Sequence, residues 1–128
     1  MYRLMPDKEK LTIQVVAMPA DANPDGDIFG GWLLSQMDLA AGVIAQQEAK
    51  CRVVTIAIDA MSFKAPVHVG DRICCYVKLL KVGRTSMSIK VKVWVTDKMA
   101  EDKRQVTEGV FTFVAIDETG LPQPVNRN

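Results

Sequence analysis

The stretch Asn23-Pro-Asp-Gly-Asp-Ile-Phe-Gly-Gly-Trp-Leu-Leu-Ser-Gln-Met-Asp-Leu-Ala-Ala-Gly-Val-Ile-Ala-Gln-Gln-Glu-Ala-Lys50 decides the fold. Its first part spends Pro, Asn, Asp and Gly, the residues of turns. From Gly30 the pattern becomes helical, with Leu33, Leu34, Met37, Ala40, Val43 and Ile44 as the apolar set. Such a helix runs to about Lys50 and spans roughly 30 Å. Apolar side chains cover most of its circumference, so it cannot rest on a surface with one face in water. It needs a sheet wrapped around it.

That sheet is legible on either side. Residues 11–17 read as a short first strand, followed by a loop over 18–29. After the helix the period changes to two. Residues 53–60 alternate, and Phe63-Lys-Ala-Pro-Val-His-Val-Gly-Asp71 is a connection punctuated by Pro and Gly. Residues 72–82 make a strand that Gly83-Arg84 turns. Met87, Ile89, Val91, Val93 and Val95 then alternate with Ser88, Lys90, Lys92 and Trp94, the cleanest strand signal in the chain. Residues 98–104 form a charged hairpin loop, 105–116 the last long strand, and Asp117-Glu-Thr-Gly-Leu-Pro122 leads to a loose tail. One strand, one long helix and about four antiparallel strands make an α+β protein of hot-dog architecture, a curved antiparallel sheet around a single helix. A sheet of this size leaves exposed edges and one uncovered face, so self-association is expected.

The totals set limits. At 128 residues the chain suits one domain, residues 1–128, with one core and loose residues at both termini. A net charge of +1 and only 6% aromatic residues provide neither the basic field nor the stacking surface of a nucleic-acid binder. The longest apolar stretch, residues 28–45, is interrupted by Ser35, Gln36 and Asp38, so it reads as a buried helix and no membrane span is expected. The N-terminus lacks the apolar core of a signal peptide. Cys51, Cys74 and Cys75 are odd in number and show no CxxC spacing, and adjacent Cys74 and Cys75 would point to opposite faces of a strand. Reduced thiols in a cytoplasmic protein, with no metal site, are the expectation.

Chemistry concentrates on the helix. At about 100° per residue, Gly31, Ser35, Asp38, Gly42 and Ala45 share one narrow face, while Leu33, Met37, Ala40 and Ile44 lie opposite. Small residues on one stripe let another backbone approach. They do not account for Asp38, because aspartate is a poor helix-interior residue and an unpaired buried carboxylate is costly. Asp38 therefore reads as the reactive group of a slot. Gly30 and Gly31 stand at the helix N-terminus, where free backbone N–H groups favour negative charge and suit an oxyanion hole, although a glycine pair is equally a tight turn. Asp27 reads as an N-terminal cap. Asn23 reads first as a turn residue.

Met18-Pro-Ala-Asp-Ala-Asn-Pro-Asp-Gly-Asp-Ile-Phe-Gly-Gly-Trp-Leu-Leu-Ser-Gln-Met-Asp38 resembles the signature of hot-dog-fold acyl-CoA thioester hydrolases, closest to their YciA-like branch. The likeness continues through residues 63–71, Val82-Gly-Arg-Thr-Ser86 and Phe111-Thr-Phe-Val-Ala115, and so covers most of the chain. The resemblance implies hydrolysis of acyl-CoA to a free acid and CoA, with Asp38 as the catalytic carboxylate and Asn23 as its partner across a dimer interface. It implies CoA contacts from Arg84, Thr85 and Ser86, no metal or organic cofactor, and homodimers assembled into a hexamer as a trimer of dimers. Asp38 would act as general base on water or attack directly to form a mixed anhydride. One departure stands out. Where YciA-like sequences read Asn-Ala-Asn-Gly, this chain has Asn23-Pro24-Asp25-Gly26, which keeps the first Asn, so catalysis is expected to be intact while entry to the site or acyl-chain preference is expected to differ.

Three rival readings are weaker. A serine hydrolase built on Ser35 would need a base, and the sole histidine, His68, lies in a turn expected to be solvated, while Gly-Trp-Leu-Leu-Ser35 is no strand-to-helix elbow. A hot-dog dehydratase pairs a histidine with an acid, and no histidine precedes this helix. A purely binding module would have little use for Asp38. Lys64 is by default a solvated surface lysine, and Leu34, Met61 and Phe63 are candidates for setting acyl-chain preference.

Overall fold

The computed structural model describes residues 9–97, 99 and 102–125. Five strands are formed: β1 (Lys10–Val16), β2 (Arg52–Phe63), β3 (Arg72–Val82), β4 (Ser86–Thr96) and β5 (Lys103–Ile116). One long helix, α1 (Gly30–Ala49), lies between β1 and β2, preceded by a single 3-10 turn at Pro19–Asp21. The strands make one antiparallel sheet in the order β1-β3-β4-β5-β2. β1 and β2 therefore occupy opposite edges. The chain between them must cross the sheet, and α1 is that crossing, in contact with all five strands. This is the hot-dog architecture expected from the order of elements.

The core follows from the two periodicities. Leu33, Met37, Ala40 and Ile44 of α1 are buried against the inward row Ile73, Cys75, Val77 and Leu79 of β3, the row Met87, Ile89, Val91, Val93 and Val95 of β4, and Phe111 and Phe113 of β5. Fully burying a side chain of this size stabilises by roughly 1.5–3 kcal/mol. The helix stops where Lys50 turns left-handed at φ 59° and donates its N–H to the Gln46 carbonyl.

Several boundaries differ from the expected ones. β2 continues to Phe63, three residues past the end of the alternation, because a bulge intervenes. Ala60 takes φ 54°, the register shifts between Asp59 and Ser62, and pairing resumes with Ser62 opposite Glu108 and Phe63 opposite Thr107. The buried Thr107 hydroxyl donates to the Ser62 carbonyl and closes the bulge. Lys98, Ala100 and Glu101 of the expected hairpin loop lie outside the described residues, while Lys103 and Arg104 belong to β5, paired with Thr96 and Val95. Arg104 reaches Asp97 at 2.6 Å, the buried Asp71 at 3.2 Å and the Pro66 carbonyl at 3.2 Å, tying residues 64–71 to the sheet. The hydrogen bond to Asp97 first, and then the charges of Asp97 and Asp71, hold the guanidinium above its ordinary pKa.

The helix is also less enclosed than its composition implied. Leu39 is 59% exposed and Val43 42% exposed. A five-stranded sheet covers one side of α1 and leaves the other bare in a single chain. Among the described residues, no helix is long and apolar enough to cross a membrane.

The adjacent cysteines do face apart. Cys75 lies in the core row, and Cys74 lies opposite Trp94 on the other face of the sheet. Burial, with Cys74 beside it, pushes the Cys75 thiol up to about 12. Iodoacetamide at mildly alkaline pH should therefore label the half-buried Cys51 first and spare Cys75 until denaturant is added. Peptide mass spectrometry reads this directly, and equal labelling of Cys75 in the folded and unfolded protein would contradict the packing described.

Candidate active site

Asp38 sits at the margin between the buried and bare sides of α1, half-buried and turned toward β2. The Thr55 hydroxyl donates to Asp38 Oδ1 at 2.6 Å, a short charge-assisted bond. No described residue bonds the second carboxylate oxygen. One turn later, Gly42 places its backbone beside β5, with the Phe113 ring 3.7 Å from where a Cβ would stand. Phe113 is also the cross-strand neighbour of Thr55. Helix, β5 and β2 thus meet at one corner and hold the carboxylate by one oxygen. Sequence reading missed Thr55. It lay in an alternating strand segment, where a threonine is unremarkable, and only the strand's place beside the helix gives it a role.

The expected slot is half right. Gly31 and Ser35 are exposed, and nothing stands within 4 Å of a Cβ built on Gly31. Farther along, the stripe closes: Gly42 packs on Phe113 and Ala45 is fully buried. The open part is the first half of the helix, and Asp38 stands at its inner end.

The N-terminus of α1 is capped by Phe29 with no side-chain bond. The Phe29 carbonyl accepts from Trp32 and Leu33, which leaves the N–H groups of Gly30 and Gly31 without a partner among the described residues. Asp27 is not the cap. It lies two residues too early, and its carboxylate turns to His68 instead, with Nδ1 to Oδ1 at 3.0 Å. Beside Gly30 opens an apolar groove of about 470 Å³, lined by Ile28, Leu33, Phe63, Lys64, Ala65, Pro66 and Val67. The half-exposed Phe63 ring forms its wall, 3.5 Å from where a Gly30 Cβ would be.

Asn23 is the organiser of its own loop. Its Oδ1 accepts from the N–H groups of Asp25 at 2.9 Å and Asp27 at 3.1 Å, its N–H donates to the Asp27 carbonyl, and its carbonyl accepts from Gly26. With Oδ1 so engaged, the side-chain amide is held in one orientation and its N–H₂ has no partner among the described residues. No hydrogen bond joins Asn23 to Asp38 within the chain. Arg84, Thr85 and Ser86 lie in the turn between β3 and β4, where the Arg84 and Thr85 carbonyls accept from Val125 and Ala115. The Arg84 side chain is exposed and forms no ion pair among the described residues. Ala115 pairs with Val53 on its other side, so this turn stands two strand spacings, about 10 Å, from β2. Among the described residues, no group of three or more His, Cys, Asp or Glu side chains could hold a metal ion.

A long helix crossing a curved antiparallel sheet is the fold of the hot-dog thioesterases, and the comparisons agree. The thioesterase superfamily model matches residues 25–101, and the chain belongs to that superfamily. Within it the chain falls in the YciA-like branch. It is 45% identical over 119 residues to the acyl-CoA thioester hydrolase YciA of Salmonella typhimurium, covering 91% of this chain and 90% of that protein. Among solved structures, an aspartate-to-alanine mutant of a hexameric broad specificity acyl-coenzyme A thioesterase superposes with a TM-score of 0.90. It is 46% identical and covers 94% of this chain and 89% of its own. A hexameric thioesterase of Yersinia pestis gives 0.88 at 44% identity, covering 96% and 99%.

The hydrogen bonds of Asn23 make a direct expectation. Amide exchange should be slowed at Asp25 and Asp27 and fast at Gly30 and Gly31, and Asn23→Ala should release Asp25 and Asp27 without altering β4. Exchange followed by NMR checks this, and unchanged protection in the variant would rule out the loop description.

Proposed function

We propose that this protein hydrolyses acyl-CoA thioesters to free acid and CoA, with Asp38 as the carboxylate that attacks or activates water. The observation that carries the reading is the anchored Asp38: one oxygen is held by Thr55, and the other is open beside the bare half of the helix. A carboxylate held this way is oriented without being neutralised, which a general base or nucleophile requires. The free N–H groups of Gly30 and Gly31 supply oxyanion donors. Reaction needs no metal or organic cofactor in this scheme, because base, oxyanion donors and water suffice for acyl transfer. The similar proteins are named acyl-CoA thioester hydrolase and acyl-coenzyme A thioesterase.

The site takes two copies of the chain. Asp38 follows Gly31 by seven residues, a rise of about 10 Å along the helix. A single carbonyl carbon cannot lie about 3 Å from both a base and donors that far apart. The second copy comes to β2, an edge strand whose Val54, Ile56 and Ile58 are exposed, and to α1, whose Leu39 and Val43 are also exposed. An uncovered apolar edge next to Asp38 is a template for strand pairing. Pairing there would bring the partner's Gly30, Gly31 and Asn23 to Asp38, the unengaged amide of Asn23 orienting water or the thioester. The hexamer of the similar structures then follows as three such dimers. Arg84, without an ion pair among the described residues, meets the CoA phosphates together with Thr85 and Ser86, and the groove walled by Phe63 receives the acyl chain. The compartment that fits this reading is the cytoplasm, where Cys51, Cys74 and Cys75 would stay reduced.

Two experiments test this. Thiol release from a panel of acyl-CoAs should fall to background in Asp38→Ala. In Thr55→Val it should fall roughly tenfold to a hundredfold in kcat, as expected for a bond to a charged group worth about 1.5–3 kcal/mol. Near-normal turnover by the Asp38 variant would end the proposal. Ile56→Lys should shift the assembly toward monomer in light scattering and lose turnover in parallel, whereas a fully active monomer would refute the shared site.

A further inference from the structure

The sole histidine has no part in the chemistry above, yet it occupies a specific place. His68 Nδ1 lies 3.0 Å from Asp27 Oδ1, and the main chains of the two residues form a bridge. Asp27 is in turn bound twice by Asn23, through its N–H to Oδ1 and its carbonyl to the Asn23 N–H. On its other side His68 is fixed by its own N–H, which donates to Asp71 Oδ2 at 2.9 Å. Asp71 is 5% exposed and is held by Arg104 of β5 at 3.2 Å. A continuous run of polar contacts therefore leads from the sheet to the asparagine loop: Arg104, Asp71, His68, Asp27, Asn23.

We propose that His68 is a positioning residue for Asn23, acting through the Asp27 carboxylate; the inference rests on the reading that Asn23 serves the reaction. With Oδ1 of Asn23 locked to the amides of Asp25 and Asp27, the direction in which its N–H₂ points is set by where Asp27 stands. The backbone bond from Ile28 to the Val67 carbonyl, 2.8 Å, holds the loop to residues 64–71 independently of His68. Losing the imidazole thus leaves the fold and relaxes the aim. Both partners are about half exposed, so the contact is worth only a fewfold in an equilibrium. Its consequence is kinetic, because small misplacement of an orienting group lowers the rate of the bound complex more than its affinity.

The test is a cycle of His68→Ala, Asn23→Ala and the double variant, with His68→Asn as the conservative control, since its side-chain N–H₂ can stand where Nδ1 stood. His68→Ala should lower kcat about fivefold with KM unchanged, His68→Asn should restore most of it, and His68→Ala should cost nothing further in the Asn23→Ala background. In parallel, His68→Ala should speed amide exchange at Asp25 and Asp27 and leave β4 unchanged. Equal losses in both backgrounds, or unaltered exchange at those two amides, would overturn the proposal. If the wild-type protein releases no thiol from any acyl-CoA, the functional reading fails instead, and the exchange measurement still decides the role of His68.

Discussion

The fold rests on one constraint: α1 must bury an apolar arc in the sheet while keeping a carboxylate at the rim of that arc. Leu33, Met37, Ala40 and Ile44 supply the burial. Rotating the helix inward would bury Asp38 without a partner, at a cost of several kcal/mol. Rotating it outward would expose the core row and cut Asp38 loose from Thr55. The bond from Thr55 to Asp38 marks the angle at which both demands are met, and the close approach of Gly42 to Phe113 one turn later holds it there.

That angle fixes the rest of the molecule. Because β2 is an edge strand, the rim of the helix arc is also the rim of the protomer. The reactive group consequently stands near an edge of the protomer where Ile56 of β2 and Leu39 and Val43 of α1 are left exposed in a single chain. The remaining parts of the site are built from local devices. Asn23 organises its loop with its own side chain, Phe29 ends the helix without consuming the first N–H groups, and the bulge at Ala60 lets β2 resume pairing so that Phe63 walls the groove beside Gly30.

Most of the architecture was legible before any coordinates. Periodicity placed α1 and the strands to within a few residues, because apolar spacing of 3.6 and 2 is a local property. It failed at 61–63, where the bulge breaks alternation although pairing resumes. Asp38 stood out because a carboxylate in an apolar helix contradicts its surroundings. Asn23 did not, since an asparagine before a proline is an ordinary turn residue, and resemblance alone singled it out. Asp27 misled, because a cap and an ion-pair partner look alike in sequence.

By itself, then, the sequence determined the order of elements, the apolar arc of the helix and the charge that interrupts it, all set by neighbours along the chain. Only the tertiary structure decided that Thr55 holds Asp38, that His68 takes Asp27 from the helix end, that the stripe closes at Gly42 and Ala45, and that Leu39 and Val43 stay bare. These depend on which strand lies beside which helix face, a matter of contacts between residues far apart in the chain, and no local pattern encodes them.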